Sequence, residues 1–334
     1  MGTLQEVGID PAQVKDVITT VGYSHGTHNL RSILVARHGK LVVEQYLNSY
    51  AVDTIHDVRS AGKTFTGALV GIAIDQGLIR GTSETVLALF GSPKGYANPG
   101  NGKEDITLEN LLNMSSGMAA DAYDVRTPGN ELHLRESDDF VQFILDLPMS
   151  FPPGEKYQYN SAAAYLAGAA VERASGRTLS DFAAEHLFGP LGMSQYYWTK
   201  GPKNTTHGMG GLFVTARDFA KLGALYLNQG QWNGQQIISR QWVEESLRSR
   251  FPVDGPPFLQ TGYGRFWLVA DRDVFGKSYR VFYASGNGGN VVAIVPRLDL
   301  VVSIQQSAYG QGYPHFRAFS ILDGMIKACV LGDR

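Results

Sequence analysis

Apolar side chains recur at helical spacing near the start of the chain. The positions i, i+3, i+4 and i+7 of one helix face are occupied by Val14, Val17, Ile18 and Val21. Asp10 can cap this helix and Pro11 suits its first turn. The pattern therefore predicts a helix over about 11–21.

The hydrophobic period then changes to that of strands and back again. Ser32–Arg37 and Lys40–Tyr46 are rich in β-branched residues and are joined by His38-Gly39, which predicts a hairpin. Helical spacing returns over Lys63–Gly77. The next helices are predicted at Leu108–Met114, Asp138–Leu147, Ala162–Arg173 and Leu179–Phe188.

The last third of the chain mixes both patterns. Helices are predicted at Ala216–Leu227, Gln241–Arg248 and His315–Ala328, and strands at Arg265–Ala270, Ser278–Ala284, Val291–Val295 and Leu300–Gln305. Strands near both ends with helices between them indicate one sheet built from both termini and an inserted, mostly helical lobe. We expect an α/β (α+β) domain from residues 1–77 and 193–334, and a helical domain from 78–192.

Composition agrees with this division and excludes several classes of partner. A length of 334 residues suggests about two lobes with a sizeable core. The 29 Lys and Arg against 31 Asp and Glu leave no cationic excess for nucleic acid. Cys329 is the single cysteine, so an intrachain disulfide and a cysteine-based zinc site are both excluded.

Targeting signals are sparse. Residues 1–14 carry neither a basic start nor an apolar stretch, and no apolar run approaches the roughly 18 residues of a membrane span. We therefore expect no membrane span and a cytoplasmic location, or a periplasmic or secreted one if a leader was removed.

The sharpest local motif is Ser60-Ala61-Gly62-Lys63. If a helix begins near Ser60, the i, i+3 spacing places its hydroxyl and the Lys63 amine on one face. A lysine shielded from water gives up its proton more readily and can then accept the serine proton. A helix-capping serine beside a surface lysine is the alternative interpretation. A phosphate-binding loop ending at Gly62-Lys63-Thr64 is rejected because Asp57 stands where glycine is required.

Two later segments carry compatible chemistry. Pro153-Gly154 leads into Tyr159-Asn160-Ser161 and a helix of small residues, so a loop tyrosine could serve as general base and later acid. Between two predicted strands, the run 284–290 reads Ala-Ser-Gly-Asn-Gly-Gly-Asn. Its glycines let a substrate approach the strand, where a backbone N–H can bind the anion of a tetrahedral intermediate. A glycine-rich turn without such a role is the alternative.

In this order, Ser60-x-x-Lys63, Tyr159-x-Ser161 and Ala284-Ser285-Gly286 resemble the serine β-lactamase and penicillin-binding superfamily. Within it, the chain is most similar to class C β-lactamase-like hydrolases, namely family VIII carboxylesterases and 6-aminohexanoate-oligomer hydrolases. The segments 106–117 and 210–218 are typical of the same family. The resemblance covers about residue 10 to the C-terminus and implies an antiparallel sheet flanked by helices.

The resemblance also implies roles for particular residues. Ser60 would be the acylated nucleophile, and Lys63 and Tyr159 the proton-transfer pair. The backbone N–H groups of Ser60 and Asn287 would form the oxyanion hole. Substrate would bind along Ser161, Ser285 and Gly286, between the two lobes. No metal or organic cofactor is required.

Two departures from the family pattern bear on the substrate. Penicillin-recognising members have Tyr-x-Asn where this chain has Ser161, and a Lys or His where it has Ala284. The missing cation removes a partner for the carboxylate of β-lactams and peptidoglycan stems. We therefore expect a small-molecule ester or amide as substrate, and a serine hydrolase that is monomeric or homodimeric. Acyl transfer, weak β-lactamase or DD-peptidase activity, and acylation without turnover are the alternatives.

Other candidates have plainer interpretations. His25 and His28 have spacing compatible with a metal pair but lie in a Gly/Ser/Asn loop. His207 either lines the cleft or caps a loop. Four further aromatic side chains are predicted to fill core rather than to wall a pocket: Tyr196, Tyr197, Trp198 and Trp267.

Overall fold

The computed structural model describes residues 2–22, 26–91, 95–253 and 261–333, and an eight-stranded antiparallel sheet is the largest element within them. The strands of the described residues are β1 (Leu30–Arg37), β2 (Lys40–Tyr46), β3 (His56–Asp57), β4 (Tyr196–Trp198), β5 (Leu212–Val214), β6 (Gln231–Trp232), β7 (Gln235–Gln236), β8 (Phe251–Val253), β9 (Thr261–Gly264), β10 (Trp267–Val274), β11 (Lys277–Gly286), β12 (Asn290–Val295) and β13 (Leu300–Gln306).

Helices cover both faces of this sheet. In the same described ranges they are α1 (Pro11–Gly22), α2 (Gly62–Asp75), α3 (Val86–Phe90), α4 (Leu108–Leu112), α5 (Glu131–Arg135), α6 (Phe140–Asp146), α7 (Ser161–Ser175), α8 (Leu179–Ala183), α9 (Ala216–Leu227), α10 (Arg240–Ser246) and α11 (Tyr313–Gly332). Short 3₁₀ turns precede several of them, including Arg59–Ala61 before α2.

The sheet joins the two ends of the chain. Its order is β2-β1-β13-β12-β11-β10-β9-β8, so the N-terminal hairpin lies beside the last strand. Val35 of β1 pairs with Val302 of β13 in antiparallel register. The predicted α/β (α+β) class, with one antiparallel sheet built from both termini, is confirmed. The residue boundaries proposed for the two domains remain a prediction.

The hairpin follows from its turn. His38 and Gly39 both have positive φ, 51° and 71°, as a two-residue turn of type I′ requires. The turn pairs Arg37 with Lys40 and sets the register of β1 on β2.

Each sheet face packs on a different set of helices. Helices α1 and α11 cover one face, where Val17, Phe319 and Met325 join the inward side chains of the strands. Helix α9 covers the other face, and its Phe219 and Leu222 belong to a larger core shared with α2 and α7. Helix α2 therefore lies inside the molecule, with no exposed residue from Gly62 to Ala73.

Small side chains allow α2 and α7 to approach closely. A Cβ on Gly168 of α7 would lie 3.4 Å from Thr66 Cγ2 of α2 and 3.0 Å from a Leu179 methyl carbon. Helix α7 begins at Asn160, whose side chain accepts a hydrogen bond from the Ala163 N–H at 2.8 Å. This cap fixes the start of α7 directly after the loop that carries Tyr159.

The structure corrects part of the sequence analysis. Strands β8 and β9 extend the sheet beyond the predicted set, and helices α3 and α5 were not predicted. Tyr197 is 52% exposed and packs at a tilt against Phe213, so its assignment to the core was wrong. Its three aromatic companions behave differently: Trp198 and Trp267 are buried and Tyr196 is partly buried. His25 lies outside the described residues.

Among the helices of the described residues, none combines the length and the apolar character needed to cross a membrane.

Replacing a fully buried α2 side chain tests the role of this helix in the core. Leu69 is 0% exposed, so Leu69→Ala leaves a cavity and should lower the free energy of unfolding by about 2–5 kcal/mol. Leu78, 41% exposed, is the matched control, and Leu78→Ala should cost much less. Urea unfolding of the three proteins checks this, and equal losses would contradict the placement of α2.

Candidate active site

Ser60 lies in the tight turn that enters α2. Arg59, the residue before it, has a positive φ of 54°, an uncommon conformation for a residue with a side chain. The Asp57 carboxylate stabilises it by accepting a hydrogen bond from the Arg59 N–H at 2.8 Å, and the guanidinium lies 4.3 Å from the Tyr309 ring centroid. These contacts present the Ser60 side chain at the start of the helix.

Lys63 follows one turn later and is almost fully buried. Its Nζ donates to Ser60 Oγ at 3.2 Å and to the Met209 carbonyl oxygen at 2.6 Å, and the residue is 2% exposed. The helical i, i+3 spacing thus brings the hydroxyl and the amine together. The Met209 carbonyl fixes the direction of the amine.

Tyr159 lies beside this pair. Lys63 Nζ is 5.2 Å from the centroid of the Tyr159 ring, and Tyr123 stacks on that ring at 6.0 Å between centroids. The loop before α7 therefore brings the predicted tyrosine next to the predicted lysine.

Ser161 is the first residue of α7 and contacts a carboxylate. Its Oγ donates to Glu131 Oε2 at 3.1 Å, and the other Glu131 oxygen pairs with Arg135 one turn along α5. Burial by itself raises the pKa of Glu131, but the Arg135 hydrogen bonds and the Lys63 charge outweigh it and hold the pKa below its usual value. Glu131 is therefore ionised at neutral pH.

The end of β11 packs directly on the nucleophile turn. A Cβ on Gly286 would lie 2.0 Å from the Val58 carbonyl oxygen and 3.2 Å from the Ala61 nitrogen. Only glycine fits there, because any side chain would push the strand away from Ser60. Ser285 precedes it, half-buried, and Asn287 follows it at the surface of the turn.

A cleft of about 700 Å³ opens above Ser60. Its lining consists of Asp57, Arg59, Ser60, Glu131, Arg135, Phe140, Thr199, Lys200, Gly201, Pro202, His207, Met209, Gly210, Gly211, Phe213 and Asn287. Of the predicted site residues, Ser60 and Asn287 line it. Lys63 and Ser161 bond to the lining residues Ser60 and Glu131, Ser285 and Gly286 precede Asn287 on β11, and Tyr159 lies beside Lys63.

Two titratable lining groups are shifted toward their neutral forms. Burial lowers the pKa of His207 to about 4, with the Glu131 charge opposing this. Burial raises the pKa of Asp57, partly offset by the Arg59 hydrogen bond and charge. His207 thus belongs to the cleft, one of its two predicted places, and is neutral at pH 7.

Sequence reasoning missed the acidic and basic groups of the cleft wall. Glu131 and Arg135 lie on α5, a helix of five residues that is too short to show a hydrophobic period. The available signal was Asn130, an N-cap residue followed by an acid and a base at i, i+4 spacing.

The lowered pKa of the half-buried His207 predicts a loss of stability in acid. Its pKa is about 4 in the folded protein and about 6.5 when unfolded, so the unfolded chain binds more protons between these values. The free energy of unfolding should fall as pH drops through this interval. His207→Gln should lose less stability than the wild type between pH 7 and pH 5, measured by urea unfolding. Identical losses in both proteins would contradict the burial of the imidazole.

Similarity to known proteins extends over most of the chain. Residues 27–319 match the Beta-lactamase family. The 6-aminohexanoate-dimer hydrolase of Paenarthrobacter ureafaciens is 27% identical over 287 residues, which is 81% of this chain and 71% of that protein.

Solved structures share the fold at low identity. A family VIII carboxylesterase superposes with a TM-score of 0.74 at 19% identity, over 95% of this chain and 97% of that one. A penicillin-binding protein homologue from Caulobacter crescentus gives a TM-score of 0.75 at 17% identity, over 96% and 98%. These likenesses establish the fold. The match over residues 27–319 shows that the chain belongs to the Beta-lactamase family, which confirms the resemblance seen in its motifs and agrees with the predicted serine hydrolase.

Proposed function

We propose that this protein hydrolyses small-molecule esters or amides through an acyl-enzyme on Ser60. The observation that carries the proposal is the contact of Lys63 Nζ with Ser60 Oγ, 3.2 Å, at the floor of an open cleft. A serine hydroxyl is a weak nucleophile until a neighbouring base takes its proton. The family membership and the hydrolase and carboxylesterase names of the relatives support the same chemistry.

Acylation uses the buried pair. Ser60 Oγ attacks the substrate carbonyl carbon as its proton passes to Lys63 in its free-amine form or, where Lys63 holds its proton, to the Tyr159 phenolate. The Met209 carbonyl, which accepts an N–H of Lys63, holds the amine beside Ser60 Oγ. Tyr159, beside the amine, then gives a proton to the leaving alcohol or amine.

The negative charge that develops on the substrate carbonyl oxygen during the attack needs hydrogen-bond donors on the cleft wall. The backbone N–H groups of Ser60 and Asn287 supply them, since both residues line the cleft and the packing of Gly286 on Val58 holds their segments together. Water, activated by Lys63 and Tyr159, attacks the acyl carbon, releases the acid and returns the proton to Ser60.

The charges of the cleft favour a substrate without an essential carboxylate. Ala284 supplies no cation at the strand position where penicillin-recognising members carry one. The guanidinium groups of the cleft are engaged already, Arg59 with Asp57 at 3.0 Å and Arg135 with Glu131, and the exposed Lys200 donates to Asn204 Oδ1 at 2.7 Å. A carboxylate on the substrate would compete with these protein carboxylates.

Ser60→Ala should abolish hydrolysis of p-nitrophenyl butyrate, because no other group replaces the attacking oxygen. Acid-quenched wild type should show a butyryl adduct by intact-mass spectrometry that the variant lacks. Ser303→Ala removes a buried serine hydroxyl from β13 and should retain both activity and adduct. Unchanged turnover by Ser60→Ala would contradict the proposal.

The same assay separates hydrolysis from its alternatives. An adduct that forms once without steady-state turnover indicates a module that is acylated but not deacylated. New esters after addition of an alcohol indicate acyl transfer.

A matched pair of esters tests the charge preference. The value of kcat/KM for p-nitrophenyl butyrate should exceed that for mono-p-nitrophenyl glutarate, which adds a carboxylate to the acyl chain, by roughly tenfold or more, the worth of one charged hydrogen bond. Rates are corrected for spontaneous hydrolysis of each ester. A preference for the glutarate ester would show that a cleft cation is free to bind carboxylates.

A further inference from the structure

Asn290, the first residue of β12, has a fully buried side chain with four hydrogen-bond contacts. Its Nδ2 donates to the Asn287 carbonyl oxygen at 3.0 Å and to the Asp57 carbonyl oxygen at 3.4 Å. Its Oδ1 accepts from the Gln306 N–H at 3.1 Å and lies 3.1 Å from His56 Nε2. The residue is 0% exposed. Both ends of the amide are therefore engaged.

The two donated bonds join the two halves of the proposed oxyanion hole. Asp57 begins the segment that turns into Ser60, and Asn287 carries the second N–H group. These segments are 230 residues apart in sequence, counted from Asp57 to Asn287. Asn290 bonds to both through one NH₂ group and so helps to set the distance between them.

The other half of the amide is fixed by a neutral histidine. His56 Nε2 lies 3.0 Å from the Gln306 carbonyl oxygen as well as 3.1 Å from Asn290 Oδ1, so this nitrogen must carry the proton that both oxygens accept. His56 Nδ1 then accepts from the Tyr50 hydroxyl at 3.0 Å. Burial lowers the pKa of His56 to about 4, in agreement with a neutral ring. The His56 Nε2–H and Gln306 N–H donors therefore fix which end of the Asn290 amide is the oxygen.

The turn that carries Asn287 is held by further contacts. The Gly289 N–H donates to the Gly286 carbonyl oxygen at 3.1 Å, which fixes the peptide plane that carries the Asn287 N–H. The Gly310 N–H donates to Asn287 Oδ1 at 2.9 Å. Asn290 lies under this turn and is its link to the Asp57 segment.

We propose that Asn290 is a positioning residue for the oxyanion hole. By bonding to Asp57 and Asn287 it holds the N–H groups of Ser60 and Asn287 at the separation that the tetrahedral intermediate needs. The inference rests on the proposed function. A purely structural role would affect stability and leave the preference for an oxyanion unchanged.

The test replaces the donating half of the amide. Asn290→Asp keeps Oδ1 toward Gln306 and His56 but puts an oxygen where Nδ2 faced two carbonyl oxygens. Removing one oxyanion donor outright costs about 10²–10³ in kcat, so a displaced donor should cost roughly 10- to 100-fold in kcat/KM for an ester at pH 8.

A thionoester distinguishes positioning from loss of fold. Its sulfur accepts longer and weaker hydrogen bonds than oxygen does. An oxyanion hole shaped for oxygen therefore stabilises the tetrahedral intermediate of a thionoester only slightly. The ratio of kcat/KM for an ester to that for the matching thionoester should fall in Asn290→Asp by about fivefold or more, as the donors lose alignment. Gln305→Glu makes the same amide-to-acid change at a 0% exposed side chain that bonds to Ser32 and Val214. It should lower the melting temperature and leave the ratio unchanged.

A second variant and a second measurement cover the remaining outcomes. If Asn290→Asp does not fold, His56→Phe keeps the ring stacked near Tyr309 but removes the donor to Asn290, and should lower the ratio in the same direction. Hydrogen exchange of the Asn287 to Gly289 amides should accelerate by about tenfold in either variant and not in Gln305→Glu.

These readouts separate the two proposals. If ester hydrolysis is unchanged in Ser60→Ala, the proposed function is overturned. Hydrogen exchange of the Asn287 to Gly289 amides would still test whether Asn290 holds this turn in place. An unchanged ester/thionoester ratio in an active Asn290→Asp, or unchanged exchange, overturns the positioning role.

Discussion

The site depends on one close packing contact, between the turn that carries Ser60 and the end of β11. Gly286 leaves no room for a side chain against the Val58 carbonyl, and the Val58 N–H donates to the Leu212 carbonyl oxygen of β5 at 3.0 Å. The nucleophile turn is thus bonded to one strand and packed on another. Because closely packed backbone cannot yield as a side chain can, the position of Ser60 relative to the sheet edge is set by the fold itself.

The parts of this arrangement that were predictable are those encoded by local pattern. The hairpin has clear turn residues, α2 carries large apolar residues at helical spacing, and α7 is a run of small residues after a Pro-Gly turn. The i, i+3 spacing of Ser60 and Lys63 brings their side chains together once α2 is helical. Glu131 and the exposure of Tyr197 were not predictable in this way. Both depend on how short segments pack against the rest of the chain, which a hydrophobic period does not report.

The two guanidinium groups that line the cleft are each paired with a carboxylate. Arg59 is directed by Asp57 on one wall, and Arg135 by Glu131 on the other. Glu131 also accepts from Ser161 and lies in the field of Lys63, so the side chain at the position of the family asparagine binds protein rather than solvent. Under the proposed function, the absence of a cation at Ala284 and the bond of Ser161 to Glu131 both suit a substrate without an essential carboxylate.

The burial of Lys63 explains why the surrounding carbonyl and hydroxyl groups matter. An ammonium group withdrawn from water costs several kcal/mol unless polar partners replace its hydration. Lys63 has two such partners, Met209 and Ser60, and one of them is the group it is proposed to deprotonate. Its aliphatic stem lies within the core formed by α2 and α7, whose small side chains allow that packing. The apolar core that stabilises the fold is thus also what shields the proposed base from water, so core packing and reactivity at Ser60 are linked through one side chain.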